Sequence, residues 1–519
     1  MDIRTFFKKT APAVKGDIIY TATATLLLAG SWLLAKRHAT ALWSSALIYL
    51  PPVLLLLTQC AKKAIDNKKR EKINRHWILF AVCTMMFGSS FIINAEPHFR
   101  DTAVILLIYS IGEIIVTATL TATKNPLRGK RGHTPVLVQR NGTTEKIKPE
   151  LLQIGDTITI KKGDTVPTDG IIKDGSSLFS SVTDRDCCHT LSCGDKVYAG
   201  YLNKGETVKI EVCREFNDST TAVIIEASRG KEIPQAVEVA KTISKYLILC
   251  ALTIALLAAI VIPMYFSQWF IMAFPRWLYR ALLFTAIAVA ADTIAFSLPV
   301  ATSGTFARLL RNDIVVNKFS FFDKLAKLRS MVFDTDLLDK ATLTSDDVKS
   351  LRRSGIRHIT MMSSGSQQDT AATAKGLGIK DFHSEMQDDD KAKLIKHLHR
   401  HRSKHTYLAA VGNGDNDRRL LQLANIRIAM TTPDNISAIE SNDVAILNGN
   451  MTGIGTTKKA SRKLRNINIF NMTIAVASKA LLLLLALTGV AAAFIPDWTL
   501  AAFDVAILAA TSLNALRTL

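Results

Sequence analysis

Seven cysteines in 519 residues are too few for a disulfide framework. Cys60, Cys83 and Cys250 fall in or beside apolar runs, where a thiol packs as a small hydrophobe. Aromatic residues are sparse at 7%, and the 64 lysines and arginines are not interleaved with them, so the stacking platforms of a nucleic-acid binder are missing and nucleic acid is excluded as a partner despite a net charge of +20. Acidic residues number 44, leaving the excess of cations to be explained. There is no internal repeat and no low-complexity tract, which excludes a solenoid. What the chain does hold is hydrophobic residue, 48% of it, collected into long runs.

Eight runs, near 17–35, 41–60, 77–95, 102–121, 246–266, 279–300, 469–494 and 498–516, are long enough to cross the roughly 30 Å of a bilayer's hydrocarbon, which makes the lipid bilayer the first expected partner. The segment 61–76 is dense in lysine and arginine, whereas the links at 36–40, 96–101, 267–278 and 495–497 are short and carry few cations. The positive-inside rule then puts both termini and both large polar segments in the cytoplasm, and the net charge becomes mostly topological. Cytoplasmic thiols are expected to be reduced.

The polar segment 134–235 alternates short β-like runs (PVLVQ, DTITI, GIIKDG, TVKIEV) with Gly-Asp and Pro-x-Asp-Gly turns, the pattern of a small, mainly β domain. The segment near 318–460 alternates apolar strands (SMVFD, YLAAVGN) with helical stretches (DDKAKLIKHLHRH), a βαβ pattern whose ligands bind at the carboxyl ends of parallel strands. At two such ends stand Val332-Phe333-Asp334-Thr335-Asp336 and Val411-Gly412-Asn413-Gly414-Asp415-Asn416-Asp417. An apolar strand ending in Asp-x-Asp, with a distant Gly-rich turn carrying another carboxylate, resembles the phosphoryl-transfer site of the haloacid dehalogenase kind.

The order of four spans, a β domain, two spans, an α/β domain and two final spans resembles that of a heavy-metal P-type ATPase, and further motifs fall in matching places. KKGDTVPTDG (161–170) is similar to the turn of that family's actuator domain, NDIVVNKFSFFDKLAKLRSMVFD (312–334) to the stretch leading to its phosphorylated aspartate, and VGNGDND with LANIRIAM to its hinge. Lys391 matches the lysine that steadies the phosphoryl group, and Ser364-Gly365 sits where Thr-Gly-Asp would. The closing AFDVAILAATSLNALRTL, with Asp504 and Asn514, resembles the zinc/cadmium/lead class, as do Lys479 and Gly112-Glu113. Because a charge in hydrocarbon costs several kcal/mol unless paired or solvated, Glu113, Asp292, Lys479 and Asp504 are expected to face the bundle interior as an ion pathway, or Lys479 and Asp504 to form a static pair that fixes helix packing.

Departures from the family are specific. Asp334 is followed by Thr335-Asp336-Leu337-Leu338 in place of Lys-Thr-Gly-Thr. A carboxylate at the second position can protonate a leaving group and then activate water, which leans the site toward hydrolysis. Asn413 replaces an aspartate beside Mg²⁺, leaving Asp334 and Asp417 as anionic ligands with Asn416 to position them. Only 30 residues separate Asp334 from Ser364, where the pumps insert a nucleotide-binding domain, so ATP is a doubtful cofactor. Thr183-Asp184-Arg185-Asp186 stands for Thr-Gly-Glu, with Asp186 as the stand-in for the water-directing glutamate, and Ala290-Ala291-Asp292 replaces Cys-Pro-Cys, which removes a thiolate metal site there. Cys187-Cys188-His189 with Cys193, and His397, His399, His401 and His405, are weaker metal-binding candidates, and no Cys-x-x-Cys module precedes the first span.

The expectation is therefore an eight-span α-helical membrane protein of the bacterial inner (plasma) membrane with a β actuator-like domain and an α/β haloacid dehalogenase-like domain. Its parts are four helices (1–121), the actuator-like domain (122–240), two helices (241–311), the phosphorylation domain without nucleotide-binding insertion (312–462) and two helices (463–519). The resemblance implies handling of a divalent metal cation. If chemistry persists, Asp334 is the nucleophile, Asp336 the acid/base, Ser364 and Lys391 phosphate holders, Asp186 the water-directing group, and Asp334, Asn413 and Asp417 the Mg²⁺ site. The alternatives are a catalytically inactive pseudo-pump that regulates or scaffolds a partner membrane protein, and a membrane-tethered Mg²⁺-dependent phosphatase.

Overall fold

The computed structural model describes the chain except for residues 1–2, 39–41, 68–74, 94–96, 123–133, 141–142, 181–187, most of 228–269, 291–292, 336–343, 402, 415–416, 434, 448, 489–495 and 497. It divides into two compact units, one made of Met1–Thr123, Ala236–Ala301 and Ile467–Arg517, the other of Lys124–Gln235, Thr302–Asn466 and Thr518–Leu519.

The first unit is helical. Among the described residues five helical segments are long and apolar enough to cross a membrane: Val14–Arg37, Trp43–Ile65, Phe99–Thr121, Thr452–Leu485 and Trp498–Leu516. Two shorter apolar helices, His76–Phe91 and Trp277–Val289, fall on two more of the expected runs, while 246–266 lies largely outside the described residues. The expected run 279–300 is divided between the helices Phe270–Ala290 and Thr293–Arg311, which flank positions 291 and 292. These helices are apolar on both sides. Val53, Leu56, Leu79, Met86, Leu106, Leu283 and Ile287 build an interior, yet Leu26, Trp43, Leu47, Met85, Phe503 and Leu513 are exposed. Large apolar side chains on the outside of a helix bundle fit a hydrocarbon surround, since in water they would promote aggregation.

The second unit holds two β-rich regions. The first has nine strands: β1 (Val136–Arg140), β2 (Thr143–Ile147), β3 (Thr157–Ile160), β4 (Gly170–Asp174), β5 (Ser177–Ser180), β6 (Cys188–Leu191), β7 (Lys196–Val197), β8 (Leu202–Asn203) and β9 (Val208–Val212). They form a six-stranded sheet in the order β2-β1-β3-β9-β4-β7 and a three-stranded sheet β6-β5-β8. Alternate residues point inward, so that Val138, Ile158, Ile160, Ile172, Phe179, Val208 and Ile210 make one core and the intervening polar residues stay wet.

The second region is a seven-stranded sheet of β10 (Ile314–Val316), β11 (Leu328–Asp334), β12 (His358–Met362), β13 (Asp381–His383), β14 (Tyr407–Gly412), β15 (Ile426–Met430) and β16 (Val444–Ile446), ordered β10-β16-β15-β14-β11-β12-β13. Every pairing is parallel except β10 with β16. The central strands are near-continuous apolar runs because helices such as Ser345–Ser354 and Asp388–His401 cover the sheet. β11 therefore lies between β12 and β14, and all three end at one edge.

Candidate phosphoryl site and buried ion pairs

Asp334 is the last residue of β11 and is 3% exposed. The helix Asp388–His401 begins with three acidic residues and turns Lys391, also 3% exposed, inward, so that its Nζ lies 2.6 Å from Asp334 Oδ2. β14 delivers the hinge. Val411 pairs with Phe333, so Asn413 emerges beside the end of β11, and its amide N–H donates to Asp417 Oδ2 at 3.0 Å. Gly414 takes φ +97° and its α-carbon is packed against Ala438 and Ala429, a position that needs glycine on both counts. On the other side Thr335 N–H donates to the Met362 carbonyl at 2.9 Å, so the Ser363-Ser364-Gly365 turn follows β12 at the same edge.

Asp334, Ser364, Lys391, Asn413 and Asp417 are thus brought to one carboxyl edge, the first, third and fifth of them buried and Ser364 exposed. Burial pushes the Asp417 carboxyl above its ordinary range, and the nearby Asp334 adds to the rise, while the Asn413 amide opposes it. Two carboxylates and a lysine at one strand edge make an anionic oxygen-ligand site with one built-in cation. Asp336, Asp186 and Asn416 lie outside the described residues.

In the helical unit Lys479, 5% exposed, donates at 2.6 Å both to Asp504 Oδ2 and to the Ile287 carbonyl. The lysine thereby ties three helices together. Asn514 donates to Asn471 Oδ1, and Asn471 donates to the Thr511 carbonyl, so the closing Asn-Ala-Leu-Arg stretch is fastened to the penultimate helix by amides. Glu113 is also buried, but it is held elsewhere: Lys63 Nζ lies 3.5 Å from Glu113 Oε2 and 3.1 Å from Asp17 Oδ2. Gln59 bridges onward, donating to Asp17 and accepting from Ser110. Asp292 lies outside the described residues.

Sequence reasoning missed the Asp17–Lys63–Glu113 cluster. The only signal was an acid and a base at the margins of apolar runs, where they read as topological charge. The thiol and imidazole candidates do not gather. Cys188 receives a hydrogen bond from Lys204, Cys193 is exposed, Cys187 is outside the described residues, and His397 and His401 stack on each other, with the His401 ring also bonded to the His397 carbonyl. Among the described residues no group of three or more His, Cys, Asp or Glu side chains could hold a metal ion.

Residues 131–229 match the P-type ATPase actuator domain, which covers the nine-stranded region. The chain is 21% identical to a zinc-transporting ATPase of Synechocystis sp., with 91% of this chain and 80% of that protein covered. It is also 21% identical to a cadmium, zinc and cobalt-transporting ATPase of Bacillus subtilis, with 91% and 82% covered. The alignment with the Synechocystis protein runs over 595 positions against 519 residues here, so at least 76 positions of the relative have no counterpart in this chain. A crystal structure of a zinc-transporting PIB-type ATPase in the E2.Pi state superposes with a TM-score of 0.48 at 18% identity, covering 97% of this chain and 99% of that one. The chain is thus similar over most of its length to heavy-metal-transporting P-type ATPases; it holds helices long and apolar enough to cross a membrane, and residues 131–229 match the actuator domain.

Proposed function

We propose that this relative of heavy-metal P-type ATPases handles a divalent metal cation at a membrane, through a pathway that includes Lys479, Asp504, Asp292 and Glu113. The observation that carries the reading is the buried Lys479–Asp504 contact at 2.6 Å. An ammonium saturating a carboxylate inside an apolar bundle is a stand-in for a cation: it removes the cost of the bare charge and can yield its place when a metal arrives. With Ala290-Ala291-Asp292 where thiolates would stand, the site is built of oxygen ligands and suits a hard or borderline cation such as Zn²⁺ or Mn²⁺.

We read the seven-stranded domain as a haloacid dehalogenase-like phosphorylation domain, and the full chain as eight spans with both termini cytoplasmic in a bacterial inner membrane. The oxygen donors at its carboxyl edge fit Mg²⁺: Asp334 and Asp417 with Asn413 would hold it, and the ion would neutralise charge on a phosphoryl group. In this reading Asp334 Oδ attacks phosphorus, Lys391 releases its contact with Asp334 to hold the phosphoryl oxygens together with Ser364, Asp336 shuttles the leaving-group proton, and Asp186 orients the attacking water.

A second reading, a pseudo-pump that regulates or scaffolds another transporter, is favoured by one observation. From the end of β11 to Ser364 the described chain holds only the helix Ser345–Ser354 and β12, with nothing to cradle an adenine. Equilibrium binding of Zn²⁺, Mn²⁺ and Mg²⁺ to the purified protein in detergent separates the two. Asp504→Asn should weaken binding of the transported ion at least tenfold. Unchanged binding in both Asp504→Asn and Asp292→Asn would make these charges structural and give the pseudo-pump reading the lead.

A further inference from the structure

At the amino edge of the seven-stranded sheet, opposite Asp334, four cations converge. Arg329 is the second residue of β11 and Arg357 immediately precedes β12; the Arg357 amide donates to the Arg329 carbonyl, which sets the two residues side by side. The helix Thr452–Thr488 adds Lys458 and, one turn on, Arg462. Arg329, Arg357 and Arg462 are the charged groups that act on Lys458. The three arginines are exposed, whereas Lys458 is 4% exposed, its ammonium 3.0 Å from where a β-carbon on Gly355 would stand.

Among the described residues none of the four forms an ion pair with a carboxylate, and the charged groups that act on Lys458 are all cations. A topological signal accounts for Lys459, Lys463 and Arg465, which lie on the same helix with their side chains wet or half-wet. It does not account for a lysine that is buried, or for two arginines brought from more than a hundred residues earlier. The helix Ser345–Ser354 ends beside Lys458, but its C-terminal dipole amounts to about −0.5 elementary charge and cannot balance four cations. The arrangement calls for an anion with several acceptor oxygens, which arginine forks bind in pairs.

The helix itself suggests the source. It turns apolar from Ile467, so at 1.5 Å per residue Arg462 stands about 7 Å and Lys458 about 13 Å before that point. The headgroup layer of a bilayer is about 5 to 7 Å deep on each side, so the Arg462 backbone stands at its outer margin and long cationic side chains on this stretch can reach down to lipid phosphates. We propose that Lys458, Arg329, Arg357 and Arg462 form a phosphate-binding site that takes the headgroup of an anionic phospholipid of the phosphomonoester class. Occupancy would complete the charge balance of a buried lysine.

The test is calorimetric titration of the full-length protein in uncharged detergent with three soluble probes: dihexanoyl-phosphatidic acid, inorganic phosphate and dihexanoyl-phosphatidylcholine. Phosphatidic acid should bind wild type, and its affinity should fall at least tenfold in Lys458→Met and in the surface variant Arg329→Gln/Arg357→Gln. The exposed Lys396→Gln should bind as wild type does. Phosphatidic acid binding at least tenfold tighter than inorganic phosphate identifies a lipid headgroup; equal affinities keep the phosphate site and assign it to a soluble phosphate. Undiminished binding in both the Lys458 and the double-arginine variants, phosphatidylcholine binding as tight as phosphatidic acid, or no binding to wild type at millimolar probe would each overturn the site.

Discussion

The carboxylate of Asp417 fills the space that a side chain at Gly412 would need. Strand β14 ends in glycine so that Asp417, five residues on, can fold back over the backbone and receive the Asn413 amide. Gly412→Ala should therefore displace Asp417 from the strand edge. The expected result is a loss of tenfold or more, about 1.4 kcal/mol, in Mg²⁺-dependent binding of beryllofluoride, an aspartyl-phosphate mimic. Calorimetry with Gly376→Ala as the comparison, where an added β-carbon would meet nothing within 4 Å, would check it. Equal affinities in the two variants would mean that Asp417 is not a ligand of the site.

The environment of Asp417 also sets a pH dependence. Burial first, and then Asp334, raise its folded-state pKa above the 3.8 of an ordinary aspartate. Below the unfolded value the carboxyl is protonated in both states and the residue costs nothing. As pH climbs from there the unfolded chain loses its proton first, so stability falls until the raised folded value is passed and is level beyond it. In Mg²⁺-free buffer, thermal unfolding of the α/β domain followed by calorimetry should thus show a contribution from Asp417 that favours the acid side of neutrality. Asp417→Asn should flatten that slope, and added Mg²⁺ should reverse it by favouring the carboxylate. A slope that survives the substitution would assign it to another group.

Much of this was legible in the sequence because the physics is local. A buried parallel strand is an apolar run, and the polar residue that ends it marks the edge where ligands bind, so Asp334 and the 411–417 turn could be read directly. The alternation in 134–235 pointed to the β domain in the same way. The position of Lys391 followed only from resemblance: nothing in DDDKAKLIKHL says that the first lysine turns inward while Lys393 pairs with Asp390 in solvent. The ion pairs were hidden for a different reason. Lys63, Asp17 and Lys458 sit in stretches whose charges have a sufficient topological explanation, and only contacts across the elements of one unit distinguish a buried charge from a wet one.

The interval between β11 and Ser364 bears on nucleotide. Among the described residues of this interval one helix, Ser345–Ser354, precedes β12, which pairs in parallel with β11. The protein should bind a non-hydrolysable ATP analogue with millimolar affinity at best, about −4 kcal/mol, through its phosphates alone. Adenosine should not compete with it, and pyrophosphate should. Micromolar binding with competition by adenosine in a calorimetric titration would show an adenine site outside this interval and remove the observation that favours the pseudo-pump.

The last prediction concerns Lys63. Its ammonium stands between Asp17 and Glu113, so one cation serves two carboxylates in a largely buried setting. Removing it leaves two like charges close together with little water, whereas removing one carboxylate leaves the other still paired. Lys63→Met should accordingly be the more damaging change, and because its cost arises from the orphaned acids, Glu113→Gln should be less harmful in the Lys63→Met background than in wild type. The expected coupling is about 1 to 3 kcal/mol, read from a double-mutant cycle on thermal inactivation in detergent. Zn²⁺ should partly rescue Lys63→Met but not the double variant, since a divalent ion can take the lysine's place only while both carboxylates remain. Additive effects with no rescue would mean that the three residues do no more than pin helices together, and that Glu113 has no part in an ion pathway.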